Sequence, residues 1–564
     1  MENLIHVANG KALADIVLKN GYVINVFTEE IIQTDVAIIG NRIAALGDYE
    51  GKKTIDCTGK YIAPGFIDAH MHIESAMVTP LEFSKYALAK GTTTVFADPH
   101  ELVNVLGQKG LDFMLTSIEE TPMTTHIMMP SCVPATDIDT NGAGEILAAD
   151  MAPYLENKQV FGLAEMMRFD DVVKADGKIL DKLTLFKNQI VDGHAPGLTG
   201  KPLQAYRAAG IDTEHEAENY EEAIEKLRAG FKLLIREGSA ARNLEAILKG
   251  FVEHDIALDH CMFCTDDKHL EDIEKEGHID FCVRKAIALG VPAATAYKMA
   301  SYNAARAYNL HDLGAVGAGY LADLLIIDDL DQISVELVIK NGEIIDFDQL
   351  NSQNIAPVSD ADLLNSVKLP KINQENLELK ADNTPVKVIN LVAQSILTRG
   401  SEEILPSVDG KFEANRDFNK ACVIERHGHS GGIGVSAIKG YNIENGAIAT
   451  SVSHDAHNIT AVGDNDADIL LAVKELDRIQ GGYVIASKGE IVAALPLELA
   501  GIISIQAGKT VQAQLNKMVA HARALGVPES IDPFMTLSFI ALTVIPELRL
   551  TDNGLYDVNL GQFV

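Results

Sequence analysis

Residues 64–75 read PGFIDAHMHIES, an apolar run that ends in two histidines, His70 and His72, one residue apart. In an extended strand, positions i and i+2 face the same side. Both imidazoles therefore point one way where the strand stops. Neutral imidazole is a common ligand for divalent transition metals. A lone H-x-H is as often structural as functional, so its meaning depends on what the rest of the chain brings to the same point.

Downstream, short apolar runs alternate with helical patterns. Candidate strands are YIAPGFID, TTTVFADP, THIMMPS, VFGLAEM, IVDGHAP, IDTEHE, KLLIREG and IALDHCMFCTDD. Eight strand–helix units over residues 61–305 predict a distorted (β/α)8 TIM barrel, whose usual length is about 250 residues. A doubly wound open sheet is the competitor, but no glycine-rich phosphate fingerprint follows the first strand. Barrel active sites are built at the carboxyl ends of the strands. Glu165 ends the fourth strand, His194 the fifth, His215 the sixth and Asp266 the eighth. Four imidazoles and two carboxylates at one mouth are costly unless they bind a metal or each other; a satisfied hydrogen-bond network is the bland alternative. Six such ligands can hold two divalent ions linked by a carboxylate, an arrangement that lowers the pKa of a shared water. Oxygen ligands favour manganese or iron, and zinc is also compatible.

The flanks read differently. ADIVLKNGYVIN (14–25) and LVIKNGEII (337–345) each place Asn-Gly between β-branched runs, a type I′ hairpin signal. The two predict one small β-sandwich domain assembled from residues 1–60 and 306–350. Residues 351–385 are polar and read as a linker with some helix. Residues 386–564 mix strands with helices and read as a C-terminal α/β domain. The apolar run FMTLSFIALTVI (534–545) is too short to span a bilayer and predicts a buried helix.

The chain has 564 residues, 47% hydrophobic and 23% charged, with a formal net charge of −33. That charge opposes a nucleic-acid backbone or an anionic membrane as partner and suits a small-molecule substrate. Six scattered cysteines and no basic-then-apolar leader point to the cytoplasm. Cys261 and Cys264 have knuckle spacing but no second pair, so core packing is the reading.

PGFIDAHMHIESAM, DPHE, DGHAPGL, EHE and CTDD resemble the adenine deaminases of the amidohydrolase superfamily, and RHGHSGGIGVSAIKG and ATSVSHDAHNI look like their extra C-terminal domain. The resemblance covers essentially the whole chain. It implies one metal held by His70, His72 and Asp266 and the other by His194 and His215. Many superfamily members bridge the pair with a modified lysine on the fourth strand; here Glu165 takes that place. The resemblance further implies hydrolytic deamination of adenine in purine salvage by a homodimer, with Asp266 as proton carrier. A second acid or base must serve a ring nitrogen, and DPHE offers Asp98, His100 and Glu101. The runners-up are a dinuclear hydrolase of another cyclic amidine or amide and a metal-free scaffold of the same fold.

In the third region, HGHSGGIG, with His427 and His429, reads either as a glycine-rich lid or as a polar turn in which glycines allow positive φ. SHDAHN, with His454, Asp455 and His457, either faces the barrel mouth or is a second turn; an accessory metal site is a third reading. REGSAARN puts Arg236 at the end of the seventh strand, where a substrate contact competes with a helix start capped by Ser239.

Overall fold

Gly65 divides the opening stretch in two. In the computed structural model, which describes residues 1–393 and 395–564, Tyr61–Pro64 pairs antiparallel with Leu324–Ile327 in a six-stranded sheet of the flanking β domain. Phe66–Met71 is the first barrel strand. A Cβ on Gly65 would stand 2.3 Å from Thr93 Oγ1, so the chain passes this close only because glycine has no side chain. The single strand predicted across this stretch is thus two, and the β domain runs past residue 60.

The seven other barrel strands are Thr92–Ala97, Thr124–Met129, Val160–Met166, Ile190–Gly193, Thr213–Glu214, Lys232–Arg236 and Cys261–Cys264. The first five form one parallel sheet and the last three another. Asp266 N donates to His70 O (3.0 Å) and Asp212 N to Val191 O (2.8 Å), which closes the ring. The distortion lies at the sixth strand, only two residues long. Cys261 and Cys264 are buried in the eighth strand as free thiols.

The two Asn-Gly turns differ. Asn341 (φ 51°) and Gly342 (φ 79°) close a hairpin in which Ile339 faces Ile344. Asn20 (φ 63°) and Gly21 instead carry the chain from one sheet to another: Ala14–Lys19 pairs with Val36–Ile39 and Gly51–Asp56, while Tyr22–Asn25 pairs with Glu30–Gln33 and Tyr61–Pro64. A type I′ turn needs positive φ at both central residues, and Gly21 is packed against Ile62, where a Cβ would come within 2.7 Å. The predicted first hairpin is a corner.

Residues 351–385 include short helical turns at Ala361–Leu364 and Gln374–Leu377, and Val367 and Leu377 are buried with Ile424 and Val484 of the C-terminal domain. That domain carries an eight-stranded mixed sheet with helix Asp466–Ile479 packed on it. The apolar run predicted as one helix is helical only over Met535–Phe539 and then turns, with Ile540 and Leu542 still buried. No helix among the described residues is long and apolar enough to cross a membrane.

The C-terminal domain is seated on the barrel mouth. Ser504 N donates to Met77 O (2.9 Å), Gly508 N to Glu82 Oε2 (2.9 Å) and Asn458 Nδ2 to Thr140 O (2.9 Å).

Candidate active site

The six residues predicted at the strand ends converge on Glu165. Its Oε1 lies 3.3 Å from His72 Nε2 and 3.7 Å from His70 Nε2; its Oε2 lies 2.7 Å from His194 Nδ1 and 3.3 Å from His215 Nε2. One carboxylate thus faces two histidine pairs, one per oxygen. Asp266 Oδ1 closes the first group at 3.1 Å from His72 and 3.6 Å from His70. All six are buried or nearly so.

These spacings test whether the residues fit a metal. Two donors each about 2.1 Å from one ion stand roughly 3.0–3.5 Å apart. The separations around His70, His72 and Asp266 fall close to that range, as do those around His215. Both ring nitrogens of His70 and of His215 are buried without a hydrogen bond, and the two rings stack at 4.3 Å. An unpartnered buried polar atom costs about 1–3 kcal/mol; a cation held by each ring would remove that cost at the nitrogen that binds it. His72 Nδ1 faces the Asp98 carbonyl at 2.9 Å, which leaves its Nε2 lone pair turned to the carboxylates. The donor set fits two divalent ions.

The electrostatics are tightly balanced. Burial pushes the Asp266 carboxyl up, but His70, His72 and the Arg236 guanidinium outweigh it and hold it well below the usual carboxylate range. Arg236 Nη1 lies 2.7 Å from Asp266 Oδ2, and the same guanidinium grips both oxygens of Glu216. Glu216 Oε1 stands 3.4 Å from His194 and 3.3 Å from His215. Ser239 caps no helix; its hydroxyl pairs with Asp272 and the helix begins at Leu244. The seventh strand's end therefore serves the site through Arg236.

DPHE and SHDAHN meet across the domain boundary. His100 Nδ1 pairs with Asp98 Oδ2 (2.9 Å), and its Nε2 lies 3.5 Å from Glu101 Oε1 and 3.9 Å from Asp455 Oδ1. Glu101 is gripped by His454 Nδ1 on one oxygen and His457 Nε2 on the other. His457 Nδ1 accepts Ser453 N–H, so His457 presents Nε2–H to Glu101. The His454 ring stacks on Phe539 at 4.7 Å. Burial pushes His454 down, yet Glu101 overcomes it and raises the ring to about 9. HGHSGGIG is a strapped turn: Glu425 accepts the backbone N–H groups of His427, His429 and Gly431, with Gly428 and Gly431 at positive φ. His429 is exposed on this turn.

Residues 61–345 match the amidohydrolase family, and residues 395–562 match the adenine deaminase C-terminal domain. An adenine deaminase of Desulfitobacterium hafniense is 47% identical over 98% of this chain and 97% of its own length. One from Clostridium acetobutylicum is 43% identical over 99% of this chain and 98% of its own. The chain belongs to the adenine deaminase family. A crystal structure of an adenine deaminase is similar to 59% of the chain at 15% identity, with a TM-score of 0.47.

Within this adenine deaminase family member, Glu216, Asp267 and Glu74 lie at the site without having been singled out in the sequence. Asp267 and Glu74 line a cavity together with Glu101, His454 and His457. The usable signal for Glu216 was EHE, a second carboxylate touching a predicted ligand.

Proposed function

We propose that the protein deaminates adenine hydrolytically to hypoxanthine and ammonia, in purine salvage. The observation that supports this best is the single Glu165 carboxylate set between two histidine pairs, beside a cavity closed by the family's own C-terminal domain. Two divalent ions, manganese or iron ahead of zinc, held by His70, His72 and Asp266 on one side and His194 and His215 on the other, would supply an activated water and neutralise developing charge.

The chain's own residues handle orientation and protons. The water oxygen joins C6 as the C6–amine bond breaks. One of its protons ends on the leaving ammonia and the other on ring N1, which leaves the C6 carbonyl of the product. Asp266 is the carrier for the first: Arg236 pins its Oδ2, so Oδ1 faces the reaction and stays ionised as acceptor. His100, oriented by Asp98, presents Nε2 beside Glu101, and that pair serves N1. His454 and His457 hold the Glu101 carboxylate in place. Asp455 Oδ2, buried and unpartnered, is available to the substrate amine. The protein works as a homodimer in the cytoplasm.

The test is protein loaded with manganese, assayed for ammonia release and the ultraviolet change with adenine, alongside metal analysis of the same preparation. Turnover with about two ions per chain is expected. Silence on adenine with activity on a ring amide would overturn the proposal.

A further inference from the structure

Between the barrel mouth and the C-terminal domain lies a small cavity lined by Glu74, Glu101, His454 and His457. Met77, Val452, Ile502 and Phe539 give it apolar walls, suited to a flat aromatic ring. Glu74 stands on its wall, two residues past His72, in the 3-10 turn Ile73–Ala76. Glu74 is 4% exposed. Its Oε1 accepts Leu102 N–H at 3.2 Å, which fixes the side chain. Its Oε2 is buried and has no hydrogen-bond partner. Nothing in the metal cluster uses this carboxyl.

A buried carboxylate oxygen left unpaired is destabilising, and the simplest partner is a donor on the ligand. Adenine carries one donor away from its reacting end: the N–H of the five-membered ring. A nucleoside has a sugar there instead. We propose that Glu74 selects the free base by accepting this ring N–H on Oε2. The assignment rests on the adenine reading above and deepens it. A site built to bond a substrate N–H rejects the analogue lacking it by about 10⁴-fold, far more than an apolar wall achieves.

The experiment compares kcat/KM for adenine and 9-methyladenine, which has no imidazole-ring N–H, in metal-loaded native enzyme, Glu74→Ala and Glu74→Gln. Metal content and circular dichroism are recorded for each. Native enzyme is expected to favour adenine by about 10³–10⁴. Glu74→Ala lowers the adenine value by about 10²–10³ and leaves 9-methyladenine nearly unchanged, so the ratio collapses. Glu74→Gln keeps the shape and a weaker, neutral acceptor, so its ratio falls about tenfold; it carries the test alone should the alanine variant not fold. A ratio unchanged in Glu74→Gln, or a native ratio below ten, overturns the assignment. Native enzyme inert towards adenine refutes the deaminase reading itself, a result distinct from activity with unaltered discrimination.

Discussion

Arg236→Met removes the guanidinium that pins Asp266 Oδ2. The guanidinium is buried, 2.7 Å from Asp266 Oδ2 and bidentate on Glu216. With the charge centres about 4 Å apart and an effective dielectric near 20, each attraction is worth about 4 kcal/mol. Its loss raises the proton affinity of Asp266 by up to about a thousandfold. The native carboxyl is depressed, so its stabilising contribution is complete above the unfolded value near 4 and is lost only as pH falls through the lower folded value. In Arg236→Met the guanidinium's share of that contribution disappears while His70 and His72 keep theirs, and the acid limb of kcat/KM moves up by roughly one to three pH units. Breaking a buried pair also costs about 3–5 kcal/mol of stability. The assay is a pH–rate profile from pH 5 to 9 (values chosen to span about two units either side of neutrality) on metal-loaded enzyme, with thermal unfolding measured beside it. Arg236→Lys keeps one charge without the bidentate grip and should lie between. An acid limb identical to the native one, in folded metal-loaded Arg236→Met, refutes the claim that this guanidinium sets the ionisation of Asp266.

Glu165→Gln is expected to abolish turnover and reduce bound metal while circular dichroism stays native, because the residue sits at the barrel's loop face and not in its packed interior; general unfolding would contradict that separation. His454→Ala takes one of two histidines off Glu101 and should lower kcat by about 10²-fold, whereas His429→Ala, exposed on its strapped turn, should leave kinetics unchanged; equal effects would sever Glu101 from the chemistry. His126, stacked on Phe96 at 5.0 Å, is pushed down to about 4 by burial and Lys340. The neutral ring's contribution is complete above about pH 6.5 and is lost as pH falls towards 4, up to about 3 kcal/mol. His126→Phe keeps the stacking and should shift acid unfolding to lower pH; an unmoved midpoint would show that this ring does not govern it.

The convergence of the strand-end histidines and carboxylates was legible because a barrel converts order along the chain into position in space. His70, Glu165, His194 and Asp266 each follow an apolar run, His215 ends the short segment IDTEH, and parallel strands bring all such ends to one rim. Glu216 escaped the same logic. Next to His215 in a regular strand it would face away, but the sixth strand stops at Glu214, and both side chains turn to the mouth. Glu74 escaped because it lies past the strand, in a turn with no period. Asn20-Gly21 and Asn341-Gly342 share a dipeptide and diverge because tertiary packing at Ile62 overrides turn propensity in the first. The pairing of Glu101 with His454 and His457 lay furthest from view. It spans more than 350 residues and follows from how two domains dock, which no local pattern encodes. Yet the acid–base half of the proposed mechanism depends on it. Without that docking, Glu101 would keep only His100 as its cationic neighbour, and the cavity would lose the Val452, Ile502 and Phe539 wall that shields it from water. The barrel rim alone is a place to bind ions; seating the C-terminal domain makes it a place where a flat base can be held dry and its ring nitrogens reached.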